Sequence, residues 1–397
     1  MWVKCTAILR YNRNFRFVQL RQLSQLDAKT NDNADSKMQA WQINSYGGIQ
    51  ELQLNKATIP VLSNPNDVLV KIDASSVNPI DVAMINGYGS KVLNLMRQAK
   101  GCCGKPYSDI EFPLTMGRDF AGTVVSKGHG VDKFKVGDEV WGVIPVEQQG
   151  CHSNFVVVNS CLTNLRPQNI TYIEAASILY AGLTAWSALY YTGGLCYKTV
   201  FPTQSNKQIL VLGGSGGVGT LAVQLLKAWR MQVVTTCNTD ATDCLYKLGA
   251  DTVIDYTESD ADAKIIAEGP YDIILDCANV GPEVVKSKKY PHHNYITLNS
   301  PLLKNIDEHG LVLGAVKNIG DLLKQNLPSD EIKSFVKWGF FAPSPTGIKT
   351  IQEFVESSKI VPVVQEVFPF KELPEAYKKV QEGHLRGKIV IDMRFQV

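Results

Sequence analysis

The residues best suited to chemistry lie mid-chain, in the run GGSGGVG from Gly213 to Gly219. It contains G-x-G-x-x-G at Gly214, Gly216 and Gly219, after the apolar stretch QILVL and before TLAVQLLKAW. A strand that turns through glycines into a helix is the context in which this spacing holds a dinucleotide. The first glycine permits the tight turn, the second lets backbone approach a pyrophosphate, and the third lets helix pack on strand. Ser215, Gly217 and Val218 would then add free N–H groups at a positive helix end, where phosphate is favoured.

The end of the next strand bears on which dinucleotide. An acid about 20 residues past the glycines would accept the ribose hydroxyls of NAD. Here Val233–Thr236 runs into Cys237 and Asn238, with Asp240 two residues further on. A carboxylate would repel a 2′-phosphate, so its absence at the strand end favours NADPH. No arginine stands there either, which leaves Tyr256, Lys247 and Arg386 as candidate phosphate partners.

These residues need two kinds of scaffold. Between Met38 and about Arg166, short alternating or apolar runs (MQAWQI, VLVKIDASSV, FAGTVVSKG, SNFVVV) are broken by Gly, Pro and Asn, which predicts a mostly β region. Tyr88 to Pro113 is richer in Lys, Gly and Cys and reads as an insertion or flap. From Lys207 onward strands alternate with helices: QILVL, TLAVQLLKAW, QVVTT, ATDCLYKLG, DTVIDY and YDIILD predict a doubly wound parallel sheet. A helix over Gly347–Glu356 and the closing strand GKIVIDM complete the chain.

Composition narrows the function classes. The 397 residues are 45% apolar and 20% charged, enough for a large core without disulfides; nine scattered cysteines suit a reducing compartment. Five of the 40 Lys and Arg (Lys4, Arg10, Arg13, Arg16, Arg21) fall in residues 1–26, which hold no acid. That is the composition of a mitochondrial transit peptide, and a polar linker follows to residue 37. The remaining 35 basic residues stand against 38 acidic, so no basic field for nucleic acid is present. No uncharged apolar run is long enough for a transmembrane span.

Further motifs lie in register with the glycine loop: SVNPID (Ser76–Asp81), GRDFAGTV (Gly117–Val124), VGDEVWG (Val136–Gly142), AASILYAGLTAW (Ala175–Trp186) and HLRGKIVI (His384–Ile391). With them the chain resembles the medium-chain dehydrogenase/reductase superfamily, in its quinone oxidoreductase branch. The resemblance implies an α/β fold: a GroES-like β-rich catalytic domain over 38–175, a Rossmann NADP-binding domain over 176–343, and a return to the catalytic domain over 344–397. It implies no metal, since Asn78 and Arg118 stand where zinc-dependent relatives carry ligands, and the pair Cys102–Cys103 cannot complete a tetrahedral site. By matching position, Asn78 would polarise or orient a substrate carbonyl. Tyr180 and Thr184 would flank the nicotinamide, with Tyr180 or water supplying a proton. Asn238 and Tyr256 would meet the adenosine ribose and its phosphate. His384, Arg386, Gly387 and Lys388 would close over the cofactor. The activity implied is hydride transfer from NADPH to a quinone or related conjugated carbonyl in mitochondrial ubiquinone metabolism. Reduction of an enal or enoyl thioester, or a cofactor-binding scaffold with little turnover, are the alternatives. A homodimer and a membrane partner of the reticulon family are implied in the same way.

Overall fold

In a computed structural model, the structure describes residues 37–100, 111–195, 207–327 and 334–394. The basic leader, most of the linker and Cys102–Cys103 lie outside the described residues.

The β-rich part is built on one mixed seven-stranded sheet and one three-stranded sheet. The small sheet orders β2 (Gln53–Thr58), β1 (Lys37–Ile43) and β4 (Leu114–Thr115). The large sheet runs β15 (Val364–Pro369), β16 (Lys388–Asp392), β3 (Asp67–Val77), β5 (Asp119–Lys127), β6 (Glu139–Val143) and β8 (Thr163–Leu165), with β7 (Phe155–Asn159) also on β3. The C-terminal strand β16 pairs antiparallel with the end of β3, Ile389 opposite Val77 and Asp392 opposite Ala74. That pairing carries the last part of the chain back against residues more than 300 positions earlier. In the stretch expected to be an insertion, the structure places a helix over Ser90–Lys100.

The second part is a six-stranded parallel sheet ordered β11 (Thr252–Asp255), β10 (Gln232–Cys237), β9 (Gln208–Leu212), β12 (Tyr271–Asp276), β13 (His292–Thr297) and β14 (Phe335–Trp338). In chain order this is 3-2-1-4-5-6, the doubly wound arrangement, with its switch point between β9 and β12. The sequence QILVL shows why β9 sits centrally. Ile209 and Val211 face the main apolar core, while Leu210 and Leu212 face a second cluster with Val234, Tyr271 and Tyr295. A strand buried on both faces needs an unbroken apolar run, and each fully buried side chain contributes roughly 1.5–3 kcal/mol.

The main core is continuous from one sheet to the other. It includes Phe120 and Trp141 of the mixed sheet, Trp186 of the wholly buried helix Leu179–Ser187, and Leu221, Val223 and Leu225 of the helix Gly217–Ala228. The short helix Tyr172–Ala176 before it begins with a reciprocal cap. Thr171 Oγ1 accepts from the Glu174 amide (3.2 Å), and the Glu174 carboxylate accepts from the Thr171 amide (2.7 Å). A helical segment the sequence reading did not single out, Leu302–Gln325, is interrupted at Gly310, whose φ of 81° only glycine adopts readily.

Candidate active site

The glycine loop leaves β9 and enters the helix Gly217–Ala228 with its geometry set by sterics. Gly213 turns at φ 79°, where a Cβ would also lie 2.9 Å from that of Ala278. At Gly214 a Cβ would fall 2.0 Å from Thr235 Oγ1, and at Gly219 one would fall 2.2 Å from the Gly213 carbonyl oxygen. Those glycines serve the fold itself. Gly216 differs: it has an ordinary extended backbone (φ −75°), and the nearest atom to an added Cβ is 3.8 Å away. The protein does not need glycine there, but a group lying on the loop would. No side chain caps the helix, so its first N–H groups are available to an anion. A cradle that a Cβ would fill, beside an uncapped helix end, fits a pyrophosphate.

The C-terminal loop lies across this cradle. The Gly387 amide donates to the Ser215 carbonyl at 2.9 Å, and Gly387 and Gly216 form a parallel bridge. Gly387 requires glycine twice over: φ is 103°, and a Cβ would meet the Val363 carbonyl oxygen at 2.4 Å. His384 precedes it in the left-handed region (φ 52°) and is exposed. Arg386 reaches the far side, where Nε and Nη2 hold Asp240 at 3.0–3.2 Å. Asn238, half-buried, and Tyr256, 51% exposed, end the neighbouring strands, and the Tyr256 amide donates to the Cys237 carbonyl at 3.0 Å. The structure thus brings Asp240 and Arg386 together at the corner where the second strand ends. The sequence left them 146 positions apart.

Across the glycine loop lies a buried polar cluster. Its first member is Asn78, which follows β3 and precedes the helix Pro79–Ile85. Its side-chain amide is fully engaged: Oδ1 accepts from Lys388 Nζ, and Nδ2 donates to Ser76 Oγ and to Asp119 Oδ1, both at 3.3 Å. An ammonium has no acceptor, so the amide oxygen must face Lys388. Asp81 holds the turn from below, accepting from the Asn78 amide (2.9 Å) and the Gly117 amide (2.9 Å), with Arg118 Nε 3.5 Å away. Arg118 spends its remaining donors on the carbonyls of Thr115, Pro145, Val146 and Gln148. Asp119 completes the set, accepting from Ser76 Oγ at 2.6 Å and from the Tyr180 amide at 3.3 Å.

All four ionisable members, Asp81, Arg118, Asp119 and Lys388, are buried, and their formal charges cancel. Burial pushes the Asp119 carboxyl up and the Lys388 ammonium down, and each charge opposes the other's shift. His152 is driven toward its neutral form by burial; its ring bridges Tyr377 (3.0 Å) and the Ser76 carbonyl (3.1 Å). As a neutral ring it donates from Nε2 to that carbonyl and accepts the tyrosine hydroxyl at Nδ1. Tyr180 stacks on Phe341 at 4.3 Å between ring centroids, and burial raises its phenol well above the ordinary range. Thr184 donates its hydroxyl to the Tyr180 carbonyl at 2.8 Å, a bond within the helix. Val218 is half-buried at the start of the glycine-loop helix.

The two halves of the site meet through Lys388. Its Cδ lies 2.8 Å from where a Gly217 Cβ would stand, so the stem passes the helix N-terminus and the amine ends at Asn78. Sequence reasoning missed Asp119 as a bonded partner of Asn78, Phe341 as the stacking partner of Tyr180, and Asp276. The Asp276 carboxylate accepts from the amides of Ala278, Val280 and Gly281 at 3.0–3.1 Å beside the switch point. An aspartate closing a strand before a turn is a signal that could have found the last. Among the described residues no three His, Cys, Asp or Glu side chains gather as a metal site, and no helix is long and apolar enough to cross a membrane.

Comparison with known proteins agrees with this architecture. Residues 64–204 match the alcohol dehydrogenase GroES-like domain, and residues 248–391 match the zinc-binding dehydrogenase family. Over 372 residues the chain is 47% identical to the Drosophila melanogaster protein named "NAD(P)H oxidoreductase RTN4IP1, mitochondrial", covering 92% of this chain and 88% of that one. The chain belongs to the medium-chain dehydrogenase/reductase superfamily. Its Homo sapiens relative of the same name is 41% identical, covering 90% of this chain and 89% of that one. A chloroplast envelope quinone oxidoreductase homolog of Arabidopsis thaliana is 31% identical, covering 90% and 99%. Among solved structures, the quinone oxidoreductase of Coxiella burnetii superposes with a TM-score of 0.69 over 90% of this chain and all of that one, at 24% identity, which speaks for the shared fold. The chain is thus a mitochondrial oxidoreductase of this superfamily, with a GroES-like domain and a Rossmann domain.

Proposed function

We propose that this medium-chain dehydrogenase/reductase is a metal-independent NADPH reductase that delivers hydride to a quinone or related conjugated carbonyl, in mitochondrial ubiquinone metabolism. The observation that carries it is the uncapped glycine-loop helix with open space above Gly216, facing the Asn78–Lys388–Asp119 cluster across the C-terminal loop. A bound dihydronicotinamide would supply the hydride. The chain's own residues bind and orient. Ser215, Gly217, Val218 and Gly219 present backbone to the pyrophosphate; Asn238, Tyr256 and Arg386 surround the adenosine ribose; Tyr180 and Thr184 line the nicotinamide end; His384, Gly387 and Lys388 form the cover. Asn78, fixed at both ends of its amide, orients the substrate side. Metal independence is supported by the donor set around Asn78, where the Lys388 ammonium takes up the Asn78 oxygen and the Arg118 guanidinium lies 3.5 Å from the Asp81 carboxylate. NADPH is supported by the absence of an acid at Asn238 and by the guanidinium of Arg386 in that corner.

The same reading divides the chain at 37, 175 and 343, with residues 1–37 as leader and linker and the matrix as destination. A homodimer is supported by the outer edge of β14, where Phe335 is 63% exposed at the end of the parallel sheet. A reticulon partner is suggested by a Caenorhabditis elegans relative, 34% identical, named "Reticulon-4-interacting protein 1, mitochondrial". The test is anaerobic NADPH oxidation with ubiquinone analogues, enals and enoyl thioesters. Quinone reduction is expected. Turnover of enoyl thioesters alone would transfer the assignment to that chemistry. Tight NADPH binding with no acceptor reduced would make the chain a binding protein.

A further inference from the structure

We infer that Lys388, and neither Asn78 nor Tyr180, is the proton donor of the reduction, its ammonium standing in the cleft where the carbonyl oxygen gains charge. The inference rests on the reductase reading above and deepens it. Three structural observations carry it. The amide of Asn78 has no donor left over, because its two N–H groups go to Ser76 and Asp119 and its oxygen to Lys388. The Tyr180 ring is packed face to face on Phe341 and stays protonated far above neutral pH. Lys388 is 5% exposed, has three N–H donors, and draws on one partner, Asn78, among the described residues. Its stem lies against Gly217 at the cradle, so its head is held between the phosphate loop and the orienting amide.

The step balances simply. As hydride reaches the conjugated carbonyl, negative charge develops on oxygen. A Lys388 N–H bond breaks, an O–H bond forms, and the neutral amine regains its proton from water. Burial makes the ammonium a stronger acid than an exposed lysine, in the sense a donor near neutral pH requires. The charged and titratable groups facing it are Asp119 on β5, Asp81 on the helix Pro79–Ile85, and His152 with its partner Tyr377. The two aspartates favour the ammonium and oppose the downward push of burial. At saturating NADPH, kcat is therefore expected to fall as pH rises through a limb below the ordinary lysine range.

The experiment compares wild type, Lys388→Gln and Lys388→Arg. NADPH affinity is read by nucleotide fluorescence, and kcat by anaerobic turnover across pH. With NADPH saturating for each variant, Lys388→Gln is expected to lose kcat by about 10²–10⁴-fold beyond any change in NADPH affinity, and to lose the alkaline limb. Lys388→Arg keeps the charge without a useful acid, and should restore stability but little turnover. Undiminished kcat in Lys388→Gln, or a loss fully explained by weaker NADPH binding, overturns the proposal. A wild type that binds no NADPH, or reduces no carbonyl, overturns the reductase reading instead. A second readout needs neither turnover nor the substitutions. 4-Nitrophenol, a probe whose oxyanion is coloured, should bind wild type with its ionisation shifted to lower pH than in water. An unshifted ionisation, or no binding, counts against Lys388 even where the Gln variant fails to fold.

Discussion

Substituting Gly216 by alanine separates ligand binding from folding at this loop. Three of its neighbours cannot serve. Alanine at Gly214 or Gly219 would drive Cβ to 2.0 or 2.2 Å from protein atoms, and Gly213 needs a positive φ; such variants fail by unfolding. At Gly216 the added methyl meets nothing nearer than 3.8 Å. Its backbone angles are ones alanine adopts freely. Two small effects then oppose each other. Stiffening the unfolded chain stabilises by about 0.4–1 kcal/mol, and alanine is a poorer residue than glycine at a helix N-cap by up to roughly 1 kcal/mol. The net should lie within about 1 kcal/mol of zero, a melting shift of no more than about 4 °C. Against a bound pyrophosphate the same methyl occupies the space the second glycine leaves open. Losing one or two close amide–phosphate contacts is worth about 1.4–2.8 kcal/mol, a 10- to 100-fold rise in Kd.

The assay is a fluorescence titration of NADPH against wild type and Gly216→Ala, with melting curves on the same samples. Unchanged melting with a 10- to 100-fold weaker Kd is the expected pair of results. Wild-type affinity in a folded Gly216→Ala would refute the cradle, because a dinucleotide that tolerates the methyl does not lie on the loop. Weakened affinity with a drop in melting of 10 °C or more would show that the open space above Gly216 was misjudged.

Three other perturbations follow from the same geometry. Asp240→Asn removes the partner of Arg386. An exposed pair of this kind is worth about 0.2–1 kcal/mol, so NADPH should bind about 1.5- to 5-fold tighter while NADH does not, and equal tightening of both would sink that account. Asp81→Ala strips the counter-charge from wholly buried Arg118 and frees two amides. A loss of about 3–5 kcal/mol is expected by denaturant unfolding, and a loss under 1 kcal/mol would show the pair to be dispensable. Asp73 is buried beside Thr123, and burial raises its carboxyl to about 6. A folded value above the unfolded one means the folded state prefers the neutral acid, so its contribution to stability falls as pH rises from about 4 to about 6 and stays low above that. Asp73→Asn should therefore melt higher than wild type at pH 7.5, by an increment that vanishes below pH 4, and a pH-independent increment would count against burial as the cause.

What the sequence disclosed and what it withheld divide along a physical line. The glycine loop was legible because its causes are local: a tight turn, a close approach and a helix start all fall within seven residues. The parallel strands were legible because burial on two faces leaves continuous apolar runs, as in Ile209–Leu212. The family motifs placed Asn78 and Lys388 in the site but as separate parts, one on the substrate side and one on the cofactor side. Nothing local says that they touch. Their contact depends on β16 pairing with β3 in one register out of many, which a 310-residue separation does not specify. The same holds for Arg386 and Asp240, each a plain charged residue until the C-terminal loop is laid over the cradle.

That difference bears on the chemistry. An asparagine read alone is a polarising donor; one whose N–H groups are spent on Asp119 and Ser76 is an anchor, and the free donors pass to the lysine that it holds. A lysine read alone in the sequence HLRGKIVI is a basic surface turn. Buried at the first residue of a central strand, with two aspartates near it, it becomes an acid whose strength the fold controls. Roles in this site are therefore set by how the donors are shared, and donor sharing is a property of the assembled sheets.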